Sequence, residues 1–82
     1  MPEITRFLGI VVFMYFNEHG IPHIHVRYND HQAVICVRTL NMLAGSLPAR
    51  VRGLVEEWVE LHRQALLRMW ESKTFMRLPP LI

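Results

Sequence analysis

The sequence predicts an α+β fold: a small antiparallel sheet of three or four strands packed against a C-terminal helical segment, either one long helix or two short ones. Two patterns carry that expectation. Residues 23 to 28, His-Ile-His-Val-Arg-Tyr, alternate polar and apolar with the period of a half-buried strand. Further on, apolar side chains recur at Val51, Leu54, Val55, Trp58, Leu61, Ala65, Leu66 and Met69. That spacing follows the period of about 3.6 residues expected of one helix face.

Taken in order, residues 8 to 16 (Leu-Gly-Ile-Val-Val-Phe-Met-Tyr-Phe) are β-branched and aromatic, and Asn17, Gly20 and Pro22 follow them. They read as a first strand with two apolar faces. The alternating segment 23 to 28 is the second strand. Asn29-Asp30 supplies two residues that tolerate positive φ, as a tight hairpin turn requires, and His31 to Arg38 forms the third strand. A short fourth strand is expected around Met42 and Leu43, broken by Gly45 and Ser46. Pro48 fits the first turn of a helix, and Glu56, Glu57, Glu60, Arg63 and Gln64 form its polar side. Gly53 weakens a helix interior without breaking it, and Pro79-Pro80 ends regular structure.

Composition narrows the classes of function. The chain has 82 residues, room for one domain, with 51% hydrophobic and 20% charged residues, which excludes the signature of disorder. Its longest apolar run, Phe7 to Phe16, is far short of the roughly 20 residues a membrane helix needs. Glu3 stands where a signal peptide would be cationic, so a cytoplasmic protein is expected, with no membrane partner. The single cysteine, Cys36, excludes an internal disulfide or a four-thiolate zinc site. Eight arginines and one lysine against seven acids permit an acidic partner without demanding one. So much apolar residue in so small a chain predicts an interface with a partner or a second copy.

Pairing the second and third strands through an Asn29-Asp30 turn sets Tyr28 opposite His31, Val26 opposite Ala33, His25 opposite Val34, Ile24 opposite Ile35 and His23 opposite Cys36. One face then carries Ile24, Val26, Tyr28, Ala33, Ile35 and Val37 toward the helix. The other carries His23, His25, Arg27, Gln32, Cys36 and Arg38. A slip of one residue would bury the histidines and cations, so this parity is the cheaper one.

The polar face supports three readings. His23 and His25, two apart on a strand, have a spacing that chelates one ion, with Cys36, His19 or Glu18 as a third ligand. Alternatively, the histidines act as general base and acid on a ribose hydroxyl while Arg27 and Arg38 stabilise phosphate, a metal-independent ribonuclease. Third, the face is a docking surface with no chemistry. Cys36 reads as a small buried hydrophobe, His62 as a packing or capping residue beside Trp58, and Trp58 and Trp70 as core or interface anchors. No paired carboxylates of glycosidase type and no glycine-rich phosphate loop are present.

The segment from Ile4 through Met14-Tyr15-Phe16-Asn17-Glu18-His19 into Pro22-His23-Ile24-His25-Val26 is distinctive. With Gly45-Ser46-Leu47-Pro48, Glu57-Trp58, His62-Arg63 and Trp70-Glu71, it resembles the small bacterial domain-of-unknown-function family 4160 over nearly the whole chain. Here Ile21 stands where that family usually has the first of two prolines. The resemblance implies the toxin of a type II toxin–antitoxin module, a growth inhibitor held by a cognate small antitoxin of domain-of-unknown-function family 2442. The family positions that match are His23, His25 and the Glu18-His19 turn. The expected assignment is therefore His23, His25 and Arg27 as acting residues, with Arg38, Glu18 and His19 contacting substrate, RNA being the substrate class. No cofactor is expected; a metal, if one binds, falls to His23, His25 and Cys36. The alternative is a non-catalytic interaction module that holds a transition metal through its histidines.

Overall fold

The computed structural model describes residues 2–15 and 17–82. Its sheet has five antiparallel strands in the order β1-β2-β3-β4-β5: β1 (Glu3–Phe7), β2 (Ile10–Phe13), β3 (His23–Tyr28), β4 (His31–Cys36) and β5 (Met42–Gly45). One continuous helix, α1 (Ala49–Ser72), follows, and residues 73–82 return along the molecule without regular structure. The α+β architecture is the expected one, with one strand more than the largest number predicted.

The additional strand comes from the N-terminal run. Residues 8 to 16 do not form one strand, because Leu8 and Gly9 take φ of 50° and 79° and turn the chain between β1 and β2. Positive φ at both central residues is what a two-residue hairpin turn of matching twist requires, and a glycine at the second makes it accessible. β2 is buried at all four positions, in keeping with two apolar faces, while Phe16 lies outside the described residues. β4 stops at Cys36, two residues earlier than expected, because residues 37–39 form a turn. There Leu40 takes φ 66° and its N–H bonds the Cys36 carbonyl at 2.9 Å.

The fourth predicted strand is present as β5, and Gly45 belongs to it instead of breaking it. Gly45 has φ 79° and lies against β4, where a Cβ would collide with the Gln32 carbonyl oxygen and come within 2.8 Å of the Ala33 Cα. Only glycine allows this approach. The β3–β4 register is the predicted one at every pair, from Tyr28 opposite His31 to His23 opposite Cys36. Asn29 takes the positive φ, 51°.

The helix lies on the face that carries Ile24, Val26, Ile35 and Val37, and its Val51, Val55, Trp58, Val59, Leu66 and Met69 complete the core. Each fully buried aliphatic side chain there contributes about 1.5–3 kcal/mol. Pro48 caps the start, its carbonyl accepting from Arg52 N–H at 2.9 Å, and Gly53 leaves the helix unbroken. Leu61, placed on the buried stripe by spacing, is 66% exposed, and Val59 takes the buried place instead. The helix ends at Lys73, whose left-handed φ of 56° lets its N–H bond the Met69 carbonyl. The tail then packs Phe75, Leu78 and Leu81 against the core, and Leu78 N–H bonds the Ile4 carbonyl at 2.8 Å. Among the described residues no helix is long and apolar enough to cross a membrane.

Candidate functional site

β3 begins where the β2–β3 loop delivers its last polar residues, so the strand's outward histidines meet the loop's single carboxylate. His23 and His25 leave β3 on the face away from the helix, as the register requires. Glu18 reaches both of them. Its Oε1 lies 2.7 Å from His25 Nε2 and its Oε2 lies 3.1 Å from His23 Nε2. The three side chains are only 14%, 18% and 28% exposed for His23, His25 and Glu18, partly shielded yet reachable.

Each member is held from behind. His23 Nδ1 sits 2.7 Å from the Ile21 carbonyl oxygen, which can only accept, so Nδ1 carries the hydrogen. The Ile21 side chain points to solvent at 58% exposure. The ring's anchor is thus the main chain, which a proline at position 21 would offer equally. His25 stacks on Phe13 with ring centres 5.4 Å apart, and Tyr15 meets it edge-on at 4.7 Å. Trp70, from the last turn of α1, lies 4.8 Å from the His23 ring. Lys73 places its ammonium 3.7 Å from the Trp70 ring centre and donates to the Glu18 main-chain carbonyl at 2.6 Å. The helix C-terminus therefore clamps the loop that carries Glu18.

Electrostatics favour an ionised carboxylate. Burial pushes the Glu18 pKa up, but the hydrogen bonds and charges of His23 and His25 outweigh it and hold the carboxyl below the ordinary carboxylate range. Glu18, His23 and His25 form a group of potential ligand atoms all within 4.8 Å of one another. Cys36, expected as the third ligand, is not in that group. It is buried, and although burial pushes its thiol up, hydrogen bonds from the Thr39 hydroxyl and from the main chain of Thr39 and Arg38 bring it below its usual value.

The remaining predicted residues stand further off. Arg27 is on the same face of β3, with its guanidinium carbon 5.9 Å from the Phe13 ring centre. Arg38 is exposed in the turn after β4, and His19 is exposed beside Glu18; neither joins the three-residue group. His62 packs on Trp58 at 5.0 Å between ring centres, the packing role its spacing predicts. The outward residues of β2, Val11 and Phe13, are only 6% and 7% exposed, so that strand offers no open apolar face.

A groove of about 260 Å³ adjoins the cluster, lined by residues that include Phe13, Tyr15, His25, Val34, Ala44 and Gly45. Gly45, whose missing side chain lets β5 lie against β4, is part of its lining.

The family model for Domain of unknown function (DUF4160) matches residues 9–71, most of the chain. The chain belongs to the DUF4160 family. No curated protein and no solved structure matches it. The matched region holds all three members of the cluster and Trp70, whereas Lys73 and the returning tail fall outside it. Spacing alone singled out the histidines of this DUF4160 chain as site residues and Trp70 only as a core or interface anchor. Phe13, Tyr15 and Lys73 carried no sequence signal for the site.

Proposed function

We propose that the protein is a growth-inhibiting toxin of a type II toxin–antitoxin module, with a DUF2442-type antitoxin as partner, acting in the cytoplasm by cleaving RNA at the Glu18–His23–His25 centre. One observation carries this reading: a single carboxylate bonded to both outward histidines of β3 turns an ordinary polar sheet face into a prepared centre. The three groups accept protons, and Arg27, next along the same face, supplies a cation for a phosphodiester. The two rings do not bracket an open position as separate acid and base, since both turn Nε2 toward Glu18. That favours one joint centre over the pair of independent histidines expected from sequence. Arg38 and His19 have no contact with the centre that would support them as substrate residues.

Growth after induced expression tests the reading, comparing wild type with a His23→Ala, His25→Ala double variant shown by circular dichroism to fold. Arrest by the wild type and normal growth with the variant is the expected result, followed by loss of cellular RNA integrity in the first case only. Arrest by both removes the histidines from the activity. No arrest by either favours a second reading, a non-catalytic interaction module, which the aromatic-walled groove beside His25 supports.

A further inference from the structure

His23 commits one ring nitrogen to the main chain and leaves the other to the site. Its Nδ1 lies 2.7 Å from the Ile21 carbonyl oxygen, so Nε2 is the nitrogen aimed at the Glu18 carboxylate, 3.1 Å away. His25 aims the same nitrogen at the other oxygen of the same carboxylate, 2.7 Å away. Ligand atoms of two histidines and one carboxylate thus gather in one place, all within 4.8 Å of one another.

We propose that Glu18, His23 and His25 bind one divalent transition-metal ion, of the zinc class. The separations suit it: bonds of about 2.0–2.1 Å set neighbouring ligand atoms roughly 3 Å apart, near the contacts already present. The ligand types suit it too, since imidazole nitrogen selects zinc, nickel, cobalt or iron over magnesium and calcium. The outer supports are of the kind that orient metal ligands. The main chain at Ile21 holds the His23 tautomer, the Phe13 ring holds the plane of His25, and Lys73 holds the Glu18 loop through its main-chain carbonyl, leaving the carboxylate free. Lys73, which clamps the loop, bonds that carbonyl instead of competing for the carboxylate oxygens. Three protein ligands leave such an ion at least one position for water or a phosphate oxygen. The inference rests on the site of the proposed function and would pass the base role there from the three side chains to a metal-bound water, but metal binding itself needs neither RNA nor growth arrest.

The test uses the full chain purified without a histidine tag, stripped with chelator and titrated calorimetrically with Zn²⁺, then with Co²⁺ while its visible absorption is followed. One equivalent of ion is expected. Glu18→Gln, which keeps the shape of the side chain, is expected to weaken binding at least about 100-fold, beyond the range seen for outer supports. His25→Ala is expected to do the same, and Cys36→Ser and His19→Ala to leave affinity within a factor of about three, too small to count as a lost ligand. Binding that survives in Glu18→Gln, or that is lost in Cys36→Ser, overturns the site, as does no binding by a wild type that circular dichroism shows to be folded. One equivalent with the expected variant pattern supports the site even where expression leaves growth untouched, so its failure is distinct from failure of the RNA reading.

Discussion

Trp58 and Pro79 are joined across the molecule: the indole Nε1 of the helix residue donates to the tail carbonyl oxygen at 2.8 Å. The ring is fully buried at the centre of the core, so this bond fixes the returning tail from its deepest point. Trp58→Phe keeps most of the apolar ring but orphans the carbonyl. The expected cost is roughly 2 kcal/mol, from the lost bond and the lost volume together. Urea unfolding monitored through the remaining tryptophan measures it; a change below about 0.5 kcal/mol would mean that the tail is held by other contacts.

Two glycines make opposite predictions. Gly45→Ala meets both a left-handed backbone and the main chain of β4, and is expected to destabilise by at least about 2 kcal/mol. Gly53→Ala adds a methyl in open space on an exposed helix position and is expected to stabilise by about 0.5–1 kcal/mol. Thermal unfolding of the two variants separates them by sign.

Glu3 gives a pH dependence. The hydrogen bond from Arg6 and then that from Arg77, with their charges, hold its carboxyl below the usual carboxylate range. A lowered folded value means stability that is complete above the unfolded value and is lost as pH falls through the folded one. The melting temperature of wild type minus that of Glu3→Gln should therefore be positive and small at neutral pH and vanish in acid. Because the pairs are exposed, added salt should shrink the difference, and a salt-independent gap would contradict this origin.

Lys73→Met keeps the aliphatic stem over Trp70 and removes both the contact of the ammonium with the ring and its bond to the Glu18 carbonyl. Global stability should drop by about 1–2 kcal/mol, while amide exchange in the loop at 17–21 should rise more than that loss explains. Uniform exchange across the chain would show that the lysine does not clamp the loop.

What was legible in the sequence follows from how local each signal is. The β3–β4 register was readable because alternation at 23 to 28 and the turn at Asn29-Asp30 lie side by side, and a slip would bury charge. β1 was not, because Leu8-Gly9 turns the chain inside an apolar run, where a left-handed leucine leaves no compositional mark. Leu61 and Val59 exchanged places since a periodic stripe does not say where the sheet it covers ends. In the site, the histidines were found from parity alone. The choice of Glu18 over Cys36 as their companion depended on the path of a nine-residue loop, residues 14–22, and on a lysine clamp from the far end of the helix.

In the strand order β1-β2-β3-β4-β5, every hydrogen-bonded neighbour in the sheet is also the next strand in the chain. Closing each link therefore spans few residues, and doubling a loop adds only about 0.6 kcal/mol of closure entropy. The sheet can zip up hairpin by hairpin, with β3–β4 and its two-residue turn as the natural nucleus. The return of the tail to β1 is the opposite case, with Arg77 and Glu3 meeting across 74 positions of chain. Those contacts span the most chain, so amide exchange is expected to show the edge of β1 opening before the β3–β4 pair.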